Sequence, residues 1–174
     1  KAPGSWTKTY AGLRESKDAN VRRDATRLAL IFNDPAALRA LRADALNTKL
    51  SAAHRNESIR ALVQKKATNL PNYLERLLDD KTVRRAAIKG LAFFNSPGTP
   101  DQLLKRYTEF DHAARMDALQ TLASRKSWAG DLVAAMEKKR IPRRDVSSYT
   151  ARQILSFDDQ KLTARLERVW GQLN

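Results

Sequence analysis

The sequence predicts an all-α protein in which about five antiparallel helix pairs stack into a right-handed α-α superhelix. Three observations support this prediction: a recurring helix-start motif, apolar residues at helical spacing, and a composition rich in Ala, Leu, Arg and Lys. These residue types lose little conformational freedom in a helix. No segment alternates polar and apolar residues as a half-buried strand would, so no sheet is expected.

The helix-start motif occurs four times. Each copy begins with Asp or Ser, whose side chain caps a helix by accepting a backbone N–H, and has Arg four residues later. A small residue three positions after this Arg lets a neighbouring helix approach, and the positions four and seven after it are mostly apolar. These offsets share one helical face. The arginines form a ladder, 33, 29 and 31 residues apart: Arg22, Arg55, Arg84 and Arg115.

Equivalent residues of stacked repeats lie beside one another, which leaves two interpretations of the arginine ladder. Each Arg can bond an acidic residue or a free helix-end carbonyl of its neighbour, a structural role. The acids two residues after three of the arginines, Asp24, Glu57 and Asp117, are candidate partners. Alternatively, the ladder is a phosphate-binding stripe.

Turn signals separate the helices and set the predicted repeat boundaries. Phe-Asn-X-Pro occurs twice, ending at Pro35 and Pro97, and each Pro is placed to open the next helix. Asn69-Leu70-Pro71 marks another boundary. The resulting layout is a single repeat domain over residues 1–174. Its repeats lie at approximately 6–32, 35–66, 71–94, 99–125 and 127–173, with three helices near 127–139, 143–156 and 159–173 in the last.

The charge is strongly basic, with 33 Lys and Arg against 19 Asp and Glu and a net charge of +14. Such a surface attracts nucleic acid, anionic lipid or acidic proteins. The densest cluster spans a predicted helix end and a Pro turn, where the helix dipole alone would favour cations. We interpret it as a candidate docking patch for a partner: Lys138, Lys139, Arg140, Arg143 and Arg144.

The residues that usually perform chemistry are scarce. There is no cysteine, which excludes disulfides, thiol nucleophiles, cysteine zinc sites and covalent haem attachment within this segment. The two histidines, His54 and His112, fit no metal-ligand spacing, and no nucleotide-binding loop or nucleophile elbow occurs. We therefore predict no catalytic, cofactor-binding or metal-binding residue, and no enzyme activity in this segment. No apolar run approaches the ~20 residues of a transmembrane helix, so none is expected.

Several stretches resemble the HEAT/armadillo-like repeat region of multidomain proteins from planctomycetes and verrucomicrobia. The most specific are Arg-Ile-Pro-Arg-Arg-Asp at 140–145 and Ala-Arg-Gln-Ile at 151–154. In that family the repeats typically follow a propeller of the membrane-bound dehydrogenase type and precede a c-type cytochrome domain. The resemblance implies an exported, periplasmic, redox-associated parent protein. Any haem would belong to a flanking domain of that parent, with no cofactor in this segment.

Three functions follow as hypotheses. The first is a non-catalytic HEAT-like scaffold, excised from that parent, which holds domains of its own chain together or docks an acidic protein. The second is a nucleic-acid-binding repeat protein that uses a basic surface. The third is a glycosylase acting on alkylated DNA bases, in which tryptophans would stack on the base; packing between helices is the simpler role for Trp6, Trp128 and Trp170.

Overall fold

The computed structural model describes residues 3–172, which form eleven α-helices and no strand. The prediction of an all-helical fold is thereby confirmed. The chain divides into two compact units, with the boundary between Leu70 and Pro71. Within residues 3–172, none of the helices combines the length and the apolarity needed to cross a bilayer.

The first unit contains two helix pairs, and a short turn joins the two helices of each pair. Its helices are α1 (Trp6–Arg14), α2 (Ala19–Ile31), α3 (Pro35–Leu46) and α4 (Ala52–Gln64). Helix α1 packs on α2, α3 packs on α4, and α3 also contacts α2. In the core, Trp6 stacks on Tyr10 with ring centroids 5.8 Å apart and meets Phe32 edge-on at 4.9 Å. Buried alanines such as Ala25 and Ala29 keep the helices close to this aromatic group.

The second unit contains the remaining helices, three of which are accompanied by a 3-10 turn. The elements are α5 (Leu70–Arg76) with a turn at Leu77–Asp79, α6 (Arg84–Leu91), α7 (Thr99–Arg106) with a turn at Tyr107–Glu109, α8 (His112–Leu122), α9 (Lys126–Glu137), a turn at Arg143–Asp145, α10 (Ser148–Leu155) and α11 (Gln160–Trp170). Helix α6 packs on α8, and α9 contacts α7, α8 and α11. Fully buried leucines, Ile88 and Trp128 form the apolar core of this unit.

The predicted caps form at three of the four motif copies. The side chains of Asp18, Ser51 and Asp111 each accept a backbone N–H in the first turn of the following helix. At the remaining copy, Asp80 accepts from the backbone N–H of Thr82 at 2.9 Å, but α6 begins only at Arg84. Here the capping interaction closes a turn that precedes the helix.

Two boundary predictions were wrong for local reasons. Pro97 does not open α7, because the carbonyl of Ser96 accepts the N–H of Thr99 and closes a turn in which Pro97 is the second residue. The helix predicted at 143–156 begins late, at Ser148. Ser147 caps it by accepting the backbone N–H of Thr150 at 3.2 Å, while residues 143–145 form a separate 3-10 turn.

Candidate functional site

The ladder arginines bond the carbonyls at the ends of preceding helices. Nη1 of Arg22 donates to the carbonyl of Ser16, just beyond α1, at 2.5 Å. Nε of Arg55 donates to the carbonyl of Ala45, in the last turn of α3, at 2.9 Å. The last carbonyls of a helix have no partner within it, so these guanidinium groups supply missing hydrogen bonds.

Arg84 makes the most extensive set of such bonds. Its side chain is buried, with the residue only 4% exposed. It donates to the carbonyl of Leu78 at 3.0 Å, to that of Asp79 at 3.4 Å and to that of Glu109 at 3.3 Å. Its guanidinium carbon lies 5.2 Å from the ring centroid of Phe110. Arg84 therefore ties the end of α5 to the end of α7.

Arg115 repeats this arrangement at the end of α7. It donates to the carbonyls of Tyr107 at 3.2 Å and of Thr108 at 2.9 Å, and its guanidinium carbon lies 5.4 Å from the ring centroid of Tyr107. All four ladder arginines thus bond backbone oxygens. Their geometry supports the structural interpretation of the ladder over the phosphate-binding stripe.

The acid Asp117 is paired with cations that the sequence pattern did not indicate. Its side chain accepts from Nε of Arg85 at 2.6 Å and lies 3.4 Å from Nζ of Lys89. Both cations belong to α6 and Asp117 belongs to α8, so the bonds cross the helix–helix contact. Because Asp117 is buried while Arg85 is half exposed, the pair closes the edge of this contact. The cross-repeat ion pair therefore uses Arg85, which directly follows the ladder arginine.

The predicted docking patch, Lys138–Arg144, begins where α9 ends. The backbone N–H of Lys139 bonds the carbonyl of Met136, and that of Arg140 bonds the carbonyl of Ala135, each at 2.9 Å. Lys139 has a φ of 57°, so the helix ends in a Schellman motif with Lys at the left-handed position. The side chain of Arg140 also reaches the carbonyl of Leu104 at 3.4 Å. The first half of the patch is therefore held in a defined conformation.

The second half of the patch is held by Trp170, which sequence reasoning did not connect with it. The guanidinium carbon of Arg143 lies 5.4 Å from the indole centroid, and its Nε donates to the carbonyl of Trp170. The indole N–H donates to the carbonyl of Val146 at 2.7 Å. Arg144 is 89% exposed, and its Nε lies 3.9 Å from a carboxylate oxygen of Asp145. A shallow depression of about 350 Å³ lies among Arg143, Arg144, Val146 and Trp170.

Asp145, the acidic residue at the edge of this patch, is held by another partner. Its carboxylate accepts the hydroxyl hydrogen bond of Tyr107 at 2.9 Å. Burial, with a further contribution from this carboxylate, raises the pKa of Tyr107 far above its ordinary value. Tyr107 therefore stays protonated and continues to donate. All five cations of the patch are exposed, and Asp145, 3.9 Å from Arg144, offsets only one of their charges.

A groove of about 680 Å³ lies in the first unit between α2 and α4. Its lining includes four arginines, two carboxylates and His54. The exposed members are Arg23, Arg27, Glu57 and Arg60, while Arg22, Asp44 and His54 are half-buried. The sequence pattern did not predict this groove, because its width depends on how far apart two helices pack.

The remaining sequence candidates occupy packing or surface positions. Nε2 of His54 lies 3.4 Å from a carboxylate oxygen of Asp44, and His112 is exposed at the start of α8. Throughout residues 3–172, no group of three or more His, Asp or Glu side chains is placed to hold a metal ion. Trp6 and Trp128 are buried among the helices, so neither presents a ring face for base stacking.

No protein-family model, curated protein or solved structure matches this chain. The resemblance to the HEAT-like repeat region therefore stays a prediction. The structure contains two surfaces that could contact a partner. They are the Lys138–Arg144 patch of the second unit and the groove of the first unit.

Proposed function

We propose that this chain is a non-catalytic helical-repeat scaffold that docks an acidic protein domain on the Lys138–Arg144 patch. The observation that supports this most is a concentration of exposed cations on a fixed backbone. The Schellman motif fixes the patch at α9, and the Arg143–Trp170 contacts fix it near its other end. A surface that is already ordered loses less entropy when a partner binds.

Electrostatics favour an acidic partner for this patch. Five cations lie within seven residues, and only two carboxylates adjoin them in the sequence: Asp145, which lies 3.9 Å from Arg144, and Glu137, which is paired with Arg165. Exposed charges of one sign speed association with a partner of the opposite sign and fix its orientation. Arg140, Arg143 and Arg144 also offer planar donors that suit the two oxygens of a carboxylate.

The proposal includes a HEAT-like, right-handed superhelical stacking of the helix pairs. The repeated bond from a ladder arginine to a helix-end carbonyl, found in four successive pairs, supports a repeated building unit. We further propose an exported, redox-associated parent protein in which haem belongs to a flanking domain. A longer reading frame with a signal peptide and a downstream Cys-x-x-Cys-His would support this parent, and a gene that ends with this chain would contradict it.

The docking proposal is tested with a folded acidic probe, negatively supercharged green fluorescent protein, whose bulk keeps it out of a narrow groove. Replacing two patch cations, Lys138→Glu with Arg144→Glu, should weaken binding about fivefold or more. The matched control, Lys8→Glu with Lys161→Glu, makes the same change in net charge at exposed lysines elsewhere and should change affinity less than about twofold.

Equal losses in the two double variants would contradict a localised docking patch. Duplex DNA provides the second comparison. DNA binding that is tighter than probe binding, falls steeply with salt and is lost in the Lys138→Glu, Arg144→Glu variant would replace this proposal with the nucleic-acid alternative.

A further inference from the structure

The groove of the first unit lies between the second helices of two successive pairs. Helix α3 contacts both α2 and α4, and the groove of about 680 Å³ opens between these two helices. This volume is within the ~300–1,000 Å³ range typical of ligand-binding clefts. Half-buried or buried apolar side chains, including Leu30, Leu41 and Ala61, contribute to its lining.

The repeat register relates this groove to a closed contact in the second unit. Counting from the ladder arginines, Arg23 of α2 corresponds to Arg85 of α6, and Arg27 corresponds to Lys89. In the second unit, α6 and α8 pack directly, and these two cations bind the carboxylate of Asp117 at 2.6 and 3.4 Å. The second unit therefore shows that two cations at these repeat positions can bind one carboxylate together.

The corresponding groups of the first unit do not make this contact. Glu57 of α4 is the counterpart of Asp117, but its carboxylate makes no hydrogen bond or ion pair with any residue of 3–172. Among the described residues, the side chain of Arg23 donates only to Asn20, at 2.6 Å and on its own helix. Arg27 has no side-chain partner within the described part of the chain. Two exposed cations of α2 thus line one side of an open groove.

We propose that the groove binds an acidic peptide segment, with Arg23 and Arg27 holding one of its carboxylates as Arg85 and Lys89 hold Asp117. The chemistry of the lining favours this occupant over a nucleic acid. Glu57 and Asp44 would repel closely spaced phosphates, whereas a peptide can place its carboxylates at the cations alone. Leu30, Leu41 and Ala61 offer apolar contact to neighbouring peptide side chains.

This site is independent of the docking patch, because it lies in the other unit and takes an extended segment instead of a folded domain. The probe is a fluorescein-labelled ten-residue peptide of alternating Glu and Leu. Its control is the same peptide with Gln in place of Glu. Binding is measured by fluorescence anisotropy at low salt, where charge contributions are largest.

Removing both cations, Arg23→Ala with Arg27→Ala, should weaken binding of the Glu peptide about tenfold or more. The matched control, Lys8→Ala with Arg39→Ala, removes two exposed charges from the same unit and should change affinity less than about twofold. The Gln peptide should bind no better than background. The groove assignment would be overturned if the Lys138→Glu, Arg144→Glu variant lost binding of the Glu peptide while the Arg23→Ala, Arg27→Ala variant kept it.

Glu57→Gln gives a second, opposite test. In the proposed groove it removes a competing negative charge, so affinity for the Glu peptide should rise about threefold while the thermal midpoint stays unchanged. A fall in both affinity and thermal midpoint would show that Glu57 itself forms ion pairs with Arg23 and Arg27 in solution. That result would contradict the proposal. A single-stranded DNA decamer that binds more tightly than the Glu peptide, and no longer binds the Arg23→Ala, Arg27→Ala variant, would also contradict it.

Discussion

Replacing Arg84 by Ala is the sharpest test of the structural role of the arginine ladder. Arg84 is the most buried residue of the ladder apart from Arg55, and it contacts the ends of two different helices. Truncation to Ala removes three donors together with the ring contact to Phe110. The carbonyl oxygens of Leu78 and Glu109 then lose their charged partner.

The expected cost can be worked from these contacts. The bond to Leu78 at 3.0 Å is a charged hydrogen bond, worth about 1.5–3 kcal/mol. The two longer bonds, at 3.3 and 3.4 Å, contribute about 0.5 kcal/mol each, and the contact with Phe110 about 1 kcal/mol. The Ala variant no longer buries a charged group, and this gain offsets about 1–2 kcal/mol of the sum. The net loss is about 3 kcal/mol.

The assay is urea unfolding followed by far-UV circular dichroism, with the m-value compared between variants. Arg84→Ala should lower the midpoint without changing the m-value. Arg84→Met, which keeps the apolar stem, should recover about 1 kcal/mol of the loss. Exposed Arg39→Ala serves as the control and should stay within about 0.5 kcal/mol of the wild type. A similarly small effect for Arg84→Ala would refute the assignment of the ladder to helix-end bonding.

Three further predictions concern ionisation and backbone strain. Burial raises the pKa of Glu75, so its charged form disfavours folding; Glu75→Gln should raise the urea midpoint at pH 7 but not at pH 3, where both states are protonated. The hydrogen bond from Arg106 lowers the pKa of Asp79, so its stabilisation is present above about pH 4 and is lost as pH falls through the lower folded value. Asp79→Asn should therefore destabilise at pH 7 and destabilise less as the pH falls below about 4, and an equal effect throughout would contradict the pairing. Lys66 has a φ of 50° at the end of α4, so Lys66→Gly should raise the thermal midpoint by an amount equivalent to about 0.5–1 kcal/mol, and a lower midpoint would be the opposite result.

Local chemistry made three of the four motif helix starts predictable from the sequence. Asp18, Ser51 and Asp111 cap their helices because the cap bond joins residues only two or three positions apart. The arginine four residues after each cap lies within one turn of the helix start, which places it beside the end of the preceding helix. Pro97 was predicted to open a helix but lies in a turn, because Pro suits a β-turn as well as it suits the first turn of a helix.

Packing between distant segments was not predictable in the same way. The Arg85–Asp117 pair joins residues 32 positions apart, and Arg143 bonds a residue 27 positions away, Trp170. No local pattern distinguishes these side chains from solvated ones. The groove between α2 and α4 is a similar case, since equivalent positions are closed in the second unit and open in the first. The packing of the helices decides whether these positions form an ion pair or line an open groove.

The most direct test of the docking proposal measures lysine acetylation rates with and without supercharged green fluorescent protein. The chain offers lysines both inside the patch, Lys138 and Lys139, and far from it in sequence, Lys8 and Lys161, all of them exposed. If the patch docks an acidic domain, acetylation should slow several-fold at Lys138 and Lys139 and stay unchanged at Lys8 and Lys161. Uniform slowing at all four lysines, or slowing that spares Lys138 and Lys139, would contradict the proposal.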